Sequence, residues 1–444
     1  MRKLIILVSL ATALVTITES CRKDSYVAAF NKSPEARMAD TIAFVKKTLT
    51  TAPNGWIVVT PVFYGGGYGY YMNFDSLLNV TMYSDLIDQF ASTSMSSQTR
   101  VRADMGAALT FDTYNYISEL NSPDNNVRNG YGGDVDYIYD HTNGDSIIFL
   151  GKRYRMPLSF VKATATQATA YSSGGYLTAI NTFKSFFITN PNAYISLDDG
   201  TQVMIVPNSS NDLNNGKRVT LIAQDPKGSV SVTTSKFAYT VDKMVFLDSG
   251  VNISNLRFVN MAWKDSKTLA IYSSTGKEYI ISNSALPVVP LFRLMGLKYY
   301  LFGGYKTIYP GTSAAGQTIL NSYYNGLANS GGYAFNYGTL SFTWNLANNR
   351  VILTGFCSQN GGSSGWNTTI VYNYAVDDNG NYTFTKQAAA SGGYTAPILT
   401  TIDNFMLTNS INLDYYTDPV TKTVYGKMTS VKTPTTVMTF QLQQ

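Results

Sequence analysis

The chain has 444 residues and a formal net charge of +5, and only 14% of its residues are charged. No run of Lys or Arg is longer than two residues. The sequence therefore lacks the cluster of basic residues that is typical of proteins that bind nucleic acid or an anionic membrane surface. The length is enough for two or three domains, each with a core of its own.

The first predicted element is a signal peptide over residues 1–20. Arg2 and Lys3 precede an apolar run from residue 4 to residue 15, and a short polar stretch ends at Ser20. This layout is typical of a bacterial secretory signal, and the apolar run is too short for a spanning helix. Removal of the signal leaves Cys21 at the start of the mature chain.

The stretch around Cys21 resembles the lipobox of bacterial lipoproteins, in which the cysteine after the signal is acylated. Ser20 fits the small position before the cysteine, whereas Thr18 replaces the usual Leu and Glu19 is unusual. The departure resembles the looser lipoboxes of the Bacteroidota. The resemblance implies lipidation of Cys21 and a lipid-anchored linker over residues 21–32. An ordinary cleaved signal is the alternative.

The charges after Cys21 indicate where the anchor would lie. Arg22, Lys23 and Asp24 resemble the tag that directs such lipoproteins to the cell surface. We therefore expect attachment to the outer membrane, facing the exterior, with the periplasmic side as the alternative. Acylation of Cys21 would leave Cys357 without a partner, so we expect no disulfide in this exported protein.

Residues 33–165 are predicted to form an N-terminal β module with a leading helix. Ser33 is a favourable N-cap, Pro34 suits the first helical position, and apolar residues follow at helical spacing. These apolar residues are Met38, Ile42, Val45 and Leu49. After the helix, the alternation in "YGYYMNF" at residues 68–74 predicts a strand with Tyr68, Tyr70, Met72 and Phe74 on one face.

Residues 166–300 are predicted to form a middle β module, and residues 301–444 a C-terminal β module with a leading helix. Helical patterns occur in "YLTAINTFKSFF" and "TSAAGQTILNSYYNG", and strand patterns in "KRVTLIAQ" and "NLRFVNMAW". The order helix, Gly-rich turn and paired strands occurs at residues 33–85 and again at 312–354. This similarity indicates related β modules at the two ends of the chain.

Turn signals predict how the strands are connected. Short connections at residues 274–276, 347–349 and 377–381 are typical of hairpins, and hairpins give antiparallel meanders. Aromatic residues reach 13%, with 33 Tyr, which favours many short strands over long helices. We predict a mainly β fold with a few helices, built of antiparallel meander sheets that form sandwiches or lipocalin-like barrel modules.

Several phrases together carry a family resemblance. "SPEAR", "TAPNGWIVV", "GGYGYYMNF", "NVTMYSD" and "LTFDTYN" follow one another in this order behind the lipobox. In these phrases the chain resembles the Bacteroidota lipoproteins catalogued as domain of unknown function 4302, over roughly residues 21–160 and more loosely over the rest of the chain. The resemblance implies no known activity. Such lipoproteins tend to accompany outer-membrane nutrient importers, which implies an accessory role beside an importer.

The residues that could carry catalysis are few. His141 is the only histidine, so a Ser-His-Asp relay has one candidate base and a two-His metal site cannot form within one chain. Asp134, Asp136 and Asp140 alternate in "GGDVDYIYD", where paired carboxylates could serve a glycosidase or bind Ca²⁺. An exposed strand with Asp134 and Asp136 on one face is the simpler interpretation.

Residues 377–381 are similar to part of a calcium loop, but the Glu that closes such a loop is missing and a hairpin turn fits the segment fully. We therefore predict no catalytic residue, no metal site and no cofactor.

Aromatic residues in Gly-rich loops are the candidate ligand-binding residues. Trp366 in "NGGSSGWNTT" and Tyr64 in "VFYGGGYG" could each offer a ring face to the C–H groups of a sugar. The alternative is that both rings pack back onto a sheet. Trp56, Trp263 and Trp344 lie in strand patterns and are predicted to be core residues.

These patterns leave three classes of function. The first is a non-catalytic surface lipoprotein that captures a glycan or another nutrient for an outer-membrane importer. The second is an adhesin or structural surface protein, and the third is a glycan-active hydrolase. The expected partners are the outer membrane through the lipid anchor, a glycan or nutrient ligand and the importer, without nucleic acid.

Overall fold

The computed structural model describes residues 32–123, 130–304, 307–387, 391 and 393–443. The fold is mainly antiparallel β, with 43% strand and 20% helix, which confirms the predicted fold class. The predicted signal peptide and Cys21 lie outside the described residues. Within the described part of the chain, no helix has both the length and the apolar character of a membrane span.

The N-terminal barrel is a closed meander of eight antiparallel strands. Its strands are β1 (Trp56–Pro61), β2 (Gly67–Phe74), β3 (Asn79–Ser84), β4 (Met95–Ala103), β5 (Ala107–Phe111), β6 (Asp136–Asn143), β7 (Ser146–Gly151) and β8 (Pro157–Lys162). β1 pairs with both β2 and β8, so the sheet closes on itself. α1 (Pro34–Thr50) precedes β1, α2 (Asp88–Ser92) joins β3 to β4, and the 3₁₀ turn Ser118–Asn121 lies between β5 and β6.

α1 forms and packs as its sequence predicts. The Ser33 hydroxyl accepts a hydrogen bond from the Ala36 N–H at 3.2 Å, and Pro34 occupies the first helical position. Val45 and Leu49 are fully buried against the barrel core. The Trp56 indole N–H donates to the Leu49 carbonyl at 3.1 Å, so α1 is fastened to the first strand.

The middle sheet has ten strands. They are β9 (Ala193–Ser196), β10 (Gln202–Asn208), β11 (Arg218–Gln224), β12 (Val230–Tyr239), β13 (Lys243–Phe246), β14 (Val251–Ile253), β15 (Leu256–Trp263), β16 (Leu269–Ser273), β17 (Glu278–Ile280) and β18 (Ser282–Asn283). α3 (Ala165–Ser172) and α4 (Gly175–Thr189) precede β9 and pack against the sheet's core through buried aromatic and apolar side chains.

The two ends of the middle sheet meet in one segment. β17 pairs with β16 at one end, and β18 pairs with β9 at the other, yet only Ile281 separates β17 from β18. The sheet therefore wraps around a core of its own, as a barrel does. Along β10, Val203 and Ile205 belong to that core, while Met204 between them joins the core of the C-terminal barrel.

The C-terminal barrel is a second closed meander of eight strands. They are β19 (Leu301–Gly304), β20 (Tyr337–Asn345), β21 (Arg350–Ser358), β22 (Trp366–Val376), β23 (Asn381–Lys386), β24 (Ile411–Thr417), β25 (Val424–Ser430) and β26 (Val437–Gln443). The helices of this region are α5 (Leu291–Leu294), α6 (Ala314–Gly326) and α7 (Ala396–Thr408), and Leu346–Asn348 is a 3₁₀ turn.

One part of the predicted organisation is wrong. α6 does not lead the C-terminal module but follows its first strand, β19. β19 has only four residues and ends in Gly303 and Gly304, so its local pattern is that of a turn. Long-range pairing with β20 and β26 makes it a strand.

Side chains fill the interiors of both barrels. In the N-terminal barrel, Tyr68, Tyr70 and Met72 are at most 1% exposed and belong to one cluster with Trp56 and Phe160. Trp344 is 4% exposed and belongs to the core of the C-terminal barrel. Eight-stranded barrels are just wide enough for such packing. Sites for ligands are therefore to be sought at the ends of the barrels and between the units.

Candidate functional site

Trp366 lies in a cluster of aromatic rings at one end of the C-terminal barrel, here called the Trp366 cluster (Tyr333, Phe335, Trp366 and Tyr394). Trp366 and Tyr394 have ring centroids 5.4 Å apart, and Tyr333 and Tyr394 are 4.9 Å apart. Phe335 is 5% exposed and supports the other rings from below. Trp366 and Tyr333 are 46% and 47% exposed, so the cluster offers two rings to solvent.

Amide and hydroxyl groups hold the loop next to Trp366. The Asn360 side chain accepts from the Ser358 hydroxyl at 2.7 Å and donates to the Ser364 hydroxyl at 2.8 Å. The Asn336 amide donates to the Gln359 carbonyl at 2.9 Å and accepts from a backbone N–H of the same loop. Residues 358–365 contain no charged side chain. The surroundings therefore suit an uncharged ligand with many hydroxyl groups.

Tyr64 lies in a second cluster, formed at one end of the N-terminal barrel by Phe63, Tyr64 and Tyr154. Phe63 stacks on Tyr154 with centroids 5.4 Å apart, and Tyr64 meets Phe63 edge to face at 4.9 Å. The Arg153 guanidinium lies 4.8 Å from the Tyr154 ring centre. Phe63 and Tyr64 are 49% and 41% exposed. Neither Tyr64 nor Trp366 is packed away, so the alternative that both rings tuck back onto a sheet is wrong.

Close backbone contact fixes the Tyr64 cluster. The Phe63 and Tyr64 N–H groups donate to the Gly132 and Tyr131 carbonyls at 3.1 Å and 3.0 Å. Gly132 has a φ of +78°, and a Cβ there would lie 2.9 Å from atoms of Phe63 and Tyr64. Glycine is therefore required where the backbone at residue 132 passes beneath these rings.

The acidic residues of "GGDVDYIYD" have structural partners. Asp134 precedes β6 and is 7% exposed, and its carboxylate accepts from the Arg153 and Tyr154 N–H groups at 2.8 Å and 3.0 Å. Asp136 accepts from the Thr110 hydroxyl at 2.7 Å. The interpretation that Asp134 shares an exposed strand face with Asp136 is therefore wrong. Asp134 instead positions the turn that carries Tyr154.

His141 lies in β6, and its Nδ1 is 2.7 Å from the carboxylate of the neighbouring Asp140. Both side chains are exposed, at 57% and 44%. Asp377 occupies a hairpin turn, as predicted, and accepts from the Asn379 and Asn381 N–H groups at 3.0 Å and 2.8 Å. Among the described residues, no group of three or more metal-ligating side chains comes together.

Cys357 is a buried thiol in β21. Its burial raises the pKa, so the reactive thiolate form is disfavoured at neutral pH. It forms no disulfide with another described residue.

A junction cleft of about 480 Å³, which no sequence pattern predicted, lies between the N-terminal barrel, α4 and the middle sheet. Lys217 and Asp85 lie at its base, 2.5 Å apart, with side chains 2% and 0% exposed. Burial lowers the pKa of Lys217, and the Asp85 carboxylate counteracts that change. At the rim, Asp88 of α2 and Lys184 of α4 form an exposed ion pair at 3.1 Å.

The carboxylate of Asp85 joins the two units. It accepts from the Gly69 N–H of β2 at 2.9 Å and from the Tyr239 N–H of β12 at 2.8 Å. A Cβ on Gly69 would lie 2.0 Å from the Tyr239 carbonyl oxygen, so glycine is required where β2 meets β12. No local sequence pattern predicts the contact between the two units, because the residues that meet there are more than 100 positions apart in the sequence.

The Tyr64 cluster and the junction cleft lie in a part of the chain that matches a known protein family, and the Trp366 cluster lies outside that part. The family model described as Domain of unknown function (DUF4302) matches residues 28–265. The chain belongs to this family. The DUF4302 region contains the N-terminal barrel, the middle sheet through β15, the Tyr64 cluster and the junction cleft. Trp366 lies outside it, in the C-terminal barrel. No curated protein matches the chain.

Proposed function

We propose that the protein is a non-catalytic, lipid-anchored surface protein that captures a glycan or a similar nutrient for an outer-membrane importer. The observation that carries the proposal is the Trp366 cluster. Two exposed rings rest on a buried third ring at the end of a packed barrel, and an uncharged loop of amides and hydroxyls lies beside them. Rings held in this way pair with the C–H faces of a sugar while neighbouring amides bind its hydroxyl groups.

The acids and His141 favour capture over hydrolysis. Asp134 and Asp136 accept hydrogen bonds from the protein, and the His141 ring pairs with the exposed carboxylate of the neighbouring Asp140. The Tyr64 cluster supplies a second exposed ring surface, on the N-terminal barrel. Two such surfaces would let one protein hold separate parts of an extended ligand, which raises the overall affinity by effective concentration.

A glycan array with the mature protein tests the proposal. We expect at least one hit, and Trp366→Ala should weaken that interaction by about 1–3 kcal/mol, because truncation removes the stacking ring. The melting temperature should stay nearly unchanged, since the ring is 46% exposed.

The matched control is Tyr114→Ala, which removes a ring that is 58% exposed and makes no ring contact with the described residues. It should leave the affinity unchanged. A hit that survives Trp366→Ala at full strength would rule out the Trp366 cluster as the site, and an array without any hit would argue against glycan capture.

A further inference from the structure

A polar groove of about 940 Å³ runs between the outer face of the middle sheet and the segment that leads into the C-terminal barrel. Asn208, Asn214 and Asn215 line one side, and Thr220 and Thr234 contribute hydroxyl groups from β11 and β12. The groove lies apart from the Trp366 cluster and shares no residue with it. Its volume is in the range of sites that hold a small ligand.

Several donors in the groove have no hydrogen-bond partner in the part of the chain that the structure describes. The side-chain amides of Asn214 and Asn215 make no hydrogen bond to a described residue, and both residues are exposed. Tyr300 is 46% exposed and adds an aromatic ring at the opposite wall, and its hydroxyl group makes no hydrogen bond to a described residue. Amides, hydroxyls and one exposed ring are the groups that bind sugars.

The charged side chains that line the groove are all positive among the described residues. Arg218 and Lys298 line it, and none of its described lining residues is acidic. The Asp248 and Asp212 carboxylates, which interact electrostatically with Arg218, lie outside the lining. Arg218 donates to three backbone carbonyls, so it contributes charge and holds the loop in place.

Lys298 is the unusual member. It is 6% exposed, its ammonium lies 5.3 Å from the Tyr299 ring centre, and among the described residues it donates to one acceptor, the Pro191 carbonyl at 2.9 Å. An ammonium carries three N–H donors, so two of them lack an acceptor among the described residues. Burial lowers the pKa of Lys298 to about 8, because no carboxylate offsets the loss of water. Buried cations without a counter-charge cost stability and are found preferentially at functional sites.

We propose that this groove binds an acidic oligosaccharide, one that carries carboxylate or sulfate groups. The anionic group would supply the counter-charge that Lys298 lacks, and the sugar hydroxyls would engage the free amides of Asn214 and Asn215. The proposal shares with the capture function only the class of ligand, since it does not depend on Trp366.

Isothermal titration calorimetry of the mature protein tests the groove with three probes of matched length. These are oligogalacturonate for carboxylate, a κ-carrageenan oligosaccharide, which carries sulfate but no carboxylate, for sulfate, and a neutral malto-oligosaccharide. We expect at least one acidic probe to bind at least tenfold more tightly than the neutral probe, with an affinity that falls as salt is added. The preferred acidic probe identifies the anionic group.

Variants locate the binding. Lys298→Met keeps the buried stem, removes the charge and should weaken binding of the acidic probe at least fivefold. Tyr300→Ala should weaken it as well. Lys267→Met, at an exposed lysine in the turn before β16, is the matched control and should change nothing.

Trp366→Ala should also leave the acidic probe unaffected, which separates this proposal from the glycan array result. Equal binding of acidic and neutral probes, no binding of either acidic probe at millimolar concentration, or full affinity in Lys298→Met would each overturn the proposal.

Discussion

Replacing Asp85 with Asn is expected to destabilise the DUF4302 region strongly. The substitution leaves the Lys217 ammonium, which is 2% exposed, without the carboxylate that lies 2.5 Å away. In the parent, the two carboxylate oxygens of Asp85 accept hydrogen bonds from the Gly69 and Tyr239 N–H groups, and the Asn side chain has only one oxygen for them. Breaking a buried ion pair by removing one partner costs about 3–5 kcal/mol. We therefore expect Asp85→Asn to reduce the free energy of unfolding by that amount.

Equilibrium unfolding in urea, followed by circular dichroism and tryptophan fluorescence, measures the loss. Lys184→Met is the matched control, because it breaks the exposed Asp88–Lys184 pair at the rim of the same cleft and should cost at most about 1 kcal/mol. Adding Lys217→Met to Asp85→Asn should recover part of the loss, because no uncompensated ammonium remains. The buried pair does not join the units if Asp85→Asn lowers the free energy of unfolding no more than the control does. The same conclusion follows if the loss in the double variant equals the sum of the losses in Asp85→Asn and Lys217→Met measured separately.

Three further predictions concern the core, the buried lysine and the anchor. Trp56→Ala should cost about 3–5 kcal/mol of unfolding free energy in the same urea assay, because the ring is 1% exposed and its indole N–H donates to α1. Lys298 has its pKa lowered from 10.5 to about 8, so the unfolded chain binds more protons between these values and stability rises with pH. The parent should therefore gain about 2 kcal/mol relative to Lys298→Met between pH 7 and pH 9.5, and a constant difference would contradict the assignment. Cys21→Ser should release the protein from membranes, and equal labelling of parent and variant by a fatty acid probe would show that Cys21 is not acylated.

The sequence pattern of a single strand correctly predicted which of its side chains enter the core of its own barrel. The alternation at residues 68–74 placed Tyr68, Tyr70 and Met72 on one face, and all three belong to the barrel core. The other face was harder to predict, because Tyr71 is buried by the middle unit, where it stacks on Tyr171 at 4.8 Å. The sequence of β2 alone does not show which unit will cover that face.

Closure of the sheets and the junction contact depend on residues far apart in the chain, so the patterns could not supply them. Asp85 and Lys217 are ordinary surface residue types until the fold brings them together. The connections that lead into the first two sheets are similar in sequence. The α1-to-β1 connection reads Thr-Ala-Pro-Asn at residues 51–54, and the α4-to-β9 connection reads Thr-Asn-Pro-Asn at residues 189–192. Each connection links a helix to the first strand of the sheet that follows it.

The exposure of Trp366 could be anticipated only as one of two alternatives. Glycines on one side of the ring predicted a loop, but a loop can fold back or stand out. Whether the Trp366 ring is exposed depends on Phe335 and Tyr394, which occupy the space beneath it. Phe335 lies in the connection before β20, and Tyr394 lies in the connection after β23.

Closure of each barrel by its first and last strands has a consequence for how quickly the protein folds. Trp56 pairs with Lys162, and Leu301 pairs with Gln443, so the final ladder of each barrel must bring together the two ends of a long segment. Such non-local pairing slows folding, because the entropy of the loop is lost before the contacts compensate for it. The C-terminal barrel cannot close until β26, at the very end of the described chain, has left the ribosome. A chain of this kind therefore stays unpaired for longer after synthesis than a chain whose strands are joined by local contacts alone.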